Sequence, residues 1–205
     1  MKKIDTIIFD LGGVLIDWNP EYVFLDVFNN DRVKMKWFFD NICTSDWNEN
    51  QDAGYPLAQA TEDKVALFPE YEKEIRMFYG CWEDMLGDAI TGTVNILKKL
   101  VDSKSYKVVA LTNWSAETFP IALERFDFLH WFENILVSGE EKTRKPFEDI
   151  YLLTLNRFNI LPEHAVFIDD NLRNIEAANS LGINGVHFES PEKLKQQLKT
   201  FNIHL

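Results

Sequence analysis

Short apolar runs alternate with stretches of helical spacing over most of the chain. Strands are predicted at 4–9, 107–111, 135–137, 165–168 and 183–188. Helices are predicted at 93–101, 116–125, 148–158, 175–181 and 191–199. This alternation is typical of an α/β fold, a doubly wound parallel sheet covered by helices on both faces.

The segment 18–86 has a different pattern, because its apolar residues follow helical spacing and no strand is predicted within it. Its helices are predicted at 21–28, 32–42, 56–68 and 69–82, and the last two have proline in the first turn. The polar stretch 47–54 between them is predicted to be a loop. The chain is therefore expected to hold a discontinuous α/β core, 1–17 and 87–205, with a small helical domain inserted at 18–86.

Composition narrows the class of protein. The 205 residues are 46% hydrophobic and 26% charged, as in soluble globular proteins, and no run approaches a membrane span of ~20 apolar residues. The net charge of −12 weighs against nucleic acid and membranes as partners. The first apolar run is too short and too charged for a signal peptide, and the two cysteines are isolated, so a cytoplasmic location is expected. A monomer and a homodimer both stay open.

Polar residues follow three of the predicted strands at the point where each strand ends. They are Asp10, the pair Thr112-Asn113 and the pair Asp169-Asp170. Ligands bind outside the carboxyl ends of strands in open α/β sheets, so these residues converge if the strands are neighbours. Lys145, which opens a helix together with Pro146, can reach the same edge.

Three carboxylates at one edge must either be partly protonated or bind a cation. At an effective dielectric near 20, two of them ~4 Å apart repel by ~4 kcal/mol. An all-oxygen site of this kind suits Mg²⁺. Taken singly, each polar pair is more typical of a turn or a helix cap. Together, and in this order on alternating elements, they indicate a functional site.

The same residues carry a family resemblance. The run Ile-Ile-Phe-Asp-Leu-Gly-Gly-Val-Leu-Ile-Asp at 7–17 resembles the first motif of the haloacid dehalogenase-like superfamily. Leu-Thr-Asn at 111–113, Lys145-Pro146, and Val-Phe-Ile-Asp-Asp-Asn-Leu-Arg-Asn at 166–174 resemble the second, third and fourth. The inserted segment stands where this family has its small helical cap. The chain is most similar to the sugar-phosphate phosphatase and epoxide-hydrolase-phosphatase-like branch.

The resemblance implies a Mg²⁺-dependent phosphatase that hydrolyses a small phosphorylated metabolite, possibly a sugar phosphate, through an aspartyl-phosphate intermediate. Asp10 would be the nucleophile, and the metal would bind Asp10, the backbone carbonyl of Gly12 and Asp170. Asp169 would orient water or Lys145.

The remaining implied roles concern the substrate pocket, the helical cap and two tryptophans. Thr112 and Lys145 would hold the phosphoryl group, and Asn113 and Asn174 would line the pocket. The cap would close over the site, moving on hinges near 17–20 and 86–90. Trp18 and Trp114 are interpreted as packing residues.

One departure from the family pattern leaves alternatives open. Phosphatases of this kind usually carry a second Asp two residues after the nucleophile, as the acid that protonates the leaving group, but Gly12 stands there. Either the substrate has a good leaving group, or Asp52 or Glu49 of the cap supplies the proton. The stretch 47–55 would then contact substrate, or else be a solvated connector.

Two other functions share parts of this pattern. A haloacid dehalogenase attacks carbon without a metal and lacks the acidic pair. A catalytically weakened phosphate-binding protein has no need of a nucleophile. Retention of Asp10, Asp169 and Asp170 favours the phosphatase.

Overall fold

Seven strands are present in the computed structural model, which describes residues 3–205. They are β1 (Thr6–Phe9), β2 (Ile16–Trp18), β3 (Leu86–Ala89), β4 (Lys107–Thr112), β5 (Asn134–Val137), β6 (Ala165–Asp169) and β7 (Asn184–His187). Five of them form a parallel sheet in the order β5-β4-β1-β6-β7. The predicted parallel sheet is confirmed, and β1 lies at its centre.

Eleven α-helices accompany the strands in the described part of the chain. They are α1 (Glu21–Val27), α2 (Arg32–Asn41), α3 (Ser45–Asp52), α4 (Leu57–Leu67), α5 (Glu72–Gly80), α6 (Thr91–Ser103), α7 (Phe119–Arg125), α8 (Ser138–Glu141), α9 (Glu148–Arg157), α10 (Leu172–Ser180) and α11 (Pro191–Thr200). No helix of residues 3–205 has the length and apolar character needed to cross a bilayer.

The sheet separates two apolar layers because successive strand residues point to opposite faces. Ile7 and Phe9 of β1 belong to one buried cluster, which also contains residues of α6 and α11. Ile8 belongs to the other cluster, which contains residues of α9 and α10. Helices therefore cover both faces, as expected for a doubly wound sheet.

The prediction of a loop at 47–54 is wrong, because α3 runs through most of it. Thr44 begins the helix by accepting a hydrogen bond from the N–H of Trp47 at 3.1 Å. Trp47 packs on the rings of Phe78 and Tyr79. Tertiary contacts and an N-cap outweigh the low helix propensity of the Asn and Asp residues here.

The two chain crossings between the sheet and the helical segment form an antiparallel pair, β2 with β3. Sequence periodicity did not predict these strands, because three or four residues give too little signal. Other boundaries differ by a few residues; α10 begins at Leu172 rather than 175 because Asn171 caps it through the N–H of Arg173. The predicted helix 69–82 is a 3₁₀ turn, Pro69–Tyr71, followed by α5.

The helical segment packs on the sheet through both apolar and polar contacts. Phe24, Phe38 and Phe78 of the segment belong to the same continuous buried cluster as residues of β1 and β4. Glu49 of α3 forms ion pairs with Arg144 at 2.7 Å and with Arg173 at 2.8 Å. The division of the chain into two domains at residues 17 and 86 therefore stays a prediction.

Replacing Phe24 with Ala should destabilise the whole chain. Phe24 is fully buried, and its ring centroid lies 5.6 Å from that of Phe38 and 5.0 Å from that of Phe39. We expect the free energy of unfolding to fall by about 3–5 kcal/mol. Because the apolar cluster is continuous, urea unfolding should remain a single transition by tryptophan fluorescence and by circular dichroism.

The matched control is Val33→Ala on α2, a side chain that is 82% exposed. It should change stability by no more than ~0.5 kcal/mol. Two separate transitions, of which only one shifts in Phe24→Ala, would instead show that the helical segment unfolds independently.

Candidate active site

The carboxyl edge of the sheet brings the predicted acidic residues together. Asp10 directly follows β1, and its N–H donates to the carbonyl of Ile168 in β6 at 2.8 Å. Asp169 is the last residue of β6, so it lies beside Asp10, with Asp170 next in the chain. Carboxylate oxygens of Asp10, Asp169 and Asp170 all lie within 4.8 Å of one another. The structure therefore brings these three acidic residues together at one edge of the sheet, as the sequence predicts.

Lys145 is buried between two of these carboxylates. Its Nζ lies 2.9 Å from Asp10 Oδ1 and 2.7 Å from Asp169 Oδ2, and it also donates to the carbonyl of Leu111 at 3.1 Å. Its backbone is held by Asn113, whose Oδ1 accepts from the Lys145 N–H at 2.8 Å. Asn113 Nδ2 donates to the Lys145 carbonyl at 2.9 Å. Both ends of the lysine are therefore fixed.

Asp169 is saturated with hydrogen bonds. Besides Lys145, it accepts from the N–H of Asn171 at 2.7 Å and from Asn174 Nδ2 at 3.0 and 3.1 Å. Its visible role is to position the lysine. The amide of Asn174 is in turn occupied by Asp169, and Asn174 is not among the residues that line the cavity beside the acidic cluster. Its contact with substrate stays a prediction.

The carboxylates of this cluster repel one another, and a further positive charge would reduce that repulsion. Burial raises the pKa of Asp10, Lys145 lowers it, and the charges of Asp169 and Asp170 raise it again, with a net increase. Burial also raises the pKa of Asp170, as does Asp169. Burial lowers the pKa of Lys145, but Asp10 and Asp169 more than offset that effect, so the lysine stays charged.

The donor set fits a divalent cation. Three carboxylates and one ammonium group leave two net negative charges within a few ångströms. Lys145 pairs with Asp10 Oδ1 and Asp169 Oδ2, which leaves Asp170 and the second oxygen of Asp10 for a cation. The Gly12 carbonyl as a further ligand stays a prediction. Hard oxygen donors with room for water are what Mg²⁺ prefers. Residues 3–205 thus contain a suitable Mg²⁺ site.

Gly13 allows Asp170 to approach the nucleophile loop. Its φ is +71°, in the left-handed region, and a Cβ atom there would lie 2.4 Å from Asp170 Oδ2. Only glycine fits both constraints. The neighbouring Gly12 differs, since a Cβ atom there would have no heavy atom within 4 Å.

A cavity of about 250 Å³ adjoins the acidic cluster. The sheet side of the cavity and the helical segment both contribute to its lining, which consists of Gly12, Gly13, Trp18, Asn48, Asp52, Trp82, Asn113, Trp114 and Asp170. Sequence reasoning missed Trp82, which packs edge-on against Trp114 with ring centroids 5.6 Å apart. No sequence signal marks it, because it lies in a short 3₁₀ turn.

Thr112 ends β4 beside the cluster and is fully buried. Its hydroxyl has no hydrogen-bond partner within residues 3–205. An orphaned buried hydroxyl costs ~1–3 kcal/mol. Thr112 does not line the cavity beside the cluster, so its contact with a phosphoryl group stays a prediction. Trp18 and Trp114 both pack in the apolar cluster and line the cavity, so packing and substrate contact are compatible for them.

Comparisons with known proteins agree with this geometry. The family model of haloacid dehalogenase-like hydrolases matches residues 7–188. A phosphorylated carbohydrates phosphatase of Thermotoga maritima is 27% identical over 190 residues, which cover 90% of this chain and 84% of that protein. A drimenol cyclase of Aspergillus calidoustus is 27% identical over 201 residues, 95% of this chain but only 36% of that protein, so the chain spans about a third of its length.

The fold is also shared with a crystal structure. A magnesium complex of a haloacid dehalogenase family enzyme from Bacteroides thetaiotaomicron superposes with a TM-score of 0.74 at 22% identity. The superposition covers 97% of this chain and 100% of that one. At this level of identity the likeness shows the fold alone.

Replacing Gly13 with Ala should disrupt the edge of the site. The left-handed backbone costs a residue with Cβ about 1–2 kcal/mol, and the new methyl group would collide with Asp170. We expect a clear drop in the thermal unfolding temperature. The control is Gly12→Ala, one residue earlier, where the methyl group meets open space. Equal unfolding temperatures for the two variants would contradict this account.

Proposed function

Because the chain belongs to the haloacid dehalogenase-like hydrolase family, we propose that it is a Mg²⁺-dependent phosphatase of a small phosphorylated metabolite. The observation that carries the proposal is the cluster of Asp10, Asp169 and Asp170 around the buried Lys145. A bound cation would relieve the mutual repulsion of these three carboxylates, which supports a metal-dependent reaction.

Asp10 is the nucleophile in this proposal. Its Oδ1 is held by Lys145 Nζ and by the N–H of Leu11, at 2.9 and 2.7 Å. Within residues 3–205, the other carboxylate oxygen of Asp10, Oδ2, accepts no hydrogen bond. In this proposal Asp10 Oδ2 is therefore the oxygen that attacks phosphorus. Attack forms the Asp10–phosphorus bond as the bond to the leaving oxygen breaks, which divides one difficult displacement into two steps.

The remaining residues position and stabilise charge. Bound Mg²⁺ would neutralise negative charge and orient a phosphoryl oxygen. Lys145 adds fixed positive charge beside the nucleophile, and Asp169, with Asn113, keeps it in place. Thr112 offers its unpaired hydroxyl to a phosphoryl oxygen. With a loose transition state, most of the rate gain comes from this positioning and electrostatics.

The helical segment 18–86 acts as a cap in this proposal. It supplies Asn48, Asp52 and two tryptophans to the cavity wall, so it excludes water and selects the leaving group. The pair β2–β3 is the natural place for the proposed hinges. The relative from Thermotoga maritima supports a sugar phosphate as substrate, and the cavity of about 250 Å³ has room for a small one.

The Asp10→Asn variant should lose turnover of an aryl phosphate in the presence of Mg²⁺. Asn keeps the shape of the side chain but cannot form the aspartyl-phosphate. Release of the aryl alcohol should fall to a trace, while the circular dichroism spectrum stays unchanged. Turnover well above a trace in Asp10→Asn would contradict the proposed mechanism.

Magnesium should both activate and stabilise the protein. EDTA should abolish phosphatase activity, and Mg²⁺ should restore it. Because Mg²⁺ binds the folded site, saturation at ~100 Kd should add about 2.7 kcal/mol to the free energy of unfolding. The control is Asp170→Asn, which should lose most of this thermal shift. Dehalogenation of a haloacid in EDTA, without phosphatase activity in Mg²⁺, would reverse the proposal.

A further inference from the structure

A phosphate ester with a poor leaving group needs a proton donor at the leaving oxygen. Among the described residues that line the cavity, only Asp52 and Asp170 have an ionisable side chain, since the others are Gly, Asn and Trp. Asp170 belongs to the cation site. Asp52, at the end of α3, is the one carboxyl group left for proton transfer.

Asp52 is held where the cap meets the sheet. Its Oδ2 accepts from Asn48 Nδ2 at 3.2 Å, and the backbone N–H of Ser115 donates to its carboxylate. Its backbone carbonyl accepts from Ser138 Oγ. Asn48 lies on its own helix, whereas Ser115 and Ser138 follow β4 and β5. The carboxyl group is therefore anchored from both sides of the cavity.

The surroundings of Asp52 suit a group that both gives and takes a proton. Burial raises the pKa of Asp52 to about 7, and Glu49 on the same helix adds to the increase. Arg144, the N–H of Ser115 and Lys145 lower it. The phenol of Tyr79 on α5 also faces it. A group with a pKa near the working pH is the most effective general acid and base.

Gly12 leaves space on the other side of the cavity. No heavy atom lies within 4 Å of where its Cβ would stand, so nothing there replaces a missing carboxyl group. Glu49 is not available either, because Arg144 and Arg173 pair with both of its oxygens. Glu49 also does not line the cavity beside the acidic cluster.

We propose that Asp52 is the general acid and base of this hydrolase, carried by the cap rather than by the nucleophile loop. The inference rests on the proposed phosphatase function. In the first step Asp52, as the carboxylic acid, gives its proton to the leaving oxygen while phosphorus transfers to Asp10. In the second step the Asp52 carboxylate takes a proton from water, whose oxygen attacks phosphorus. This breaks the Asp10–phosphorus bond, releases inorganic phosphate and returns Asp52 to its acid form.

The test compares Asp52→Asn with the wild type on a series of phosphate esters, from aryl to alkyl, with Mg²⁺ present. General acid catalysis is typically worth ~10²–10⁴-fold, so alkyl phosphate turnover should fall by about that factor. Release of a good aryl leaving group in the first turnover should change little. Steady-state turnover should then slow, leaving a burst of about one aryl alcohol per site.

The pH dependence gives a second readout. With alkyl phosphates the first step needs protonated Asp52, so the wild-type rate should fall as pH rises above about 7. Asp52→Asn should lack this decline. The control is Asp46→Asn, an exposed aspartate on the same helix α3, which should keep the wild-type rates and profile.

A rescue variant separates a chemical role from a structural one. Adding Gly12→Asp to Asp52→Asn places a carboxyl group in the open space of the nucleophile loop and should restore alkyl phosphate turnover. If Asp52→Asn keeps alkyl rates within twofold of Asp46→Asn, with an unchanged leaving-group dependence, the inference is overturned although the phosphatase stands. A wild type that hydrolyses no phosphate ester would overturn the proposed function and this inference with it.

Discussion

The buried ammonium group of Lys145 is the contact on which the rest of the site depends. It lies 2.9 Å from Asp10 and 2.7 Å from Asp169, and none of the three side chains is more than slightly exposed. Removing a charge from water costs several kcal/mol, and removing one partner of such a pair typically costs 3–5 kcal/mol. Asp10 follows β1, Asp169 ends β6, and Lys145 also donates to the carbonyl of Leu111 in β4. These three strands must therefore be adjacent for the lysine to be satisfied. The sheet order meets that requirement, because β1 pairs with both of the other strands.

The residues around Lys145 were predictable to different degrees. Asp10, Thr112 and Asp169 stand at the ends of strongly apolar strands, and parallel topology alone implies that such ends converge. The positioning roles of Asn113 and Asn174 were not predictable, since they depend on which amide reaches which carboxylate or carbonyl after packing. Both were expected to line the pocket. In the structure their amides hold Lys145 and Asp169, and Asn113 also lines the cavity.

The cap was harder to predict than the sheet. Half of the residues of helix α3 are Asn or Asp, which favour loops and caps in isolation. It forms because Thr44 caps it and because Gln51, nearly fully buried, donates to the Tyr79 hydroxyl at 3.0 Å. The sequence offered Asp52 and Glu49 as equal candidates for proton transfer. The structure separates them, because two arginines from the sheet side pair with Glu49 and none of its oxygens is left for the cavity.

Placing the acid on the cap links catalysis to closure. The metal ligands lie on the sheet, whereas Asp52 lies on α3, so under this proposal a complete set of catalytic groups exists only while the cap is seated. The ion pairs that hold α3 differ in exposure. The Glu49–Arg144 pair is mostly buried, whereas Arg173 is 57% exposed, and partly exposed ion pairs contribute ~0–1 kcal/mol each. The pairs of Lys145 with Asp10 and Asp169 are much more buried, with side chains no more than 11% exposed. Under this proposal the seated cap brings the proton donor to the leaving oxygen, while the contacts of Lys145 on the sheet side orient the carboxylate that attacks phosphorus.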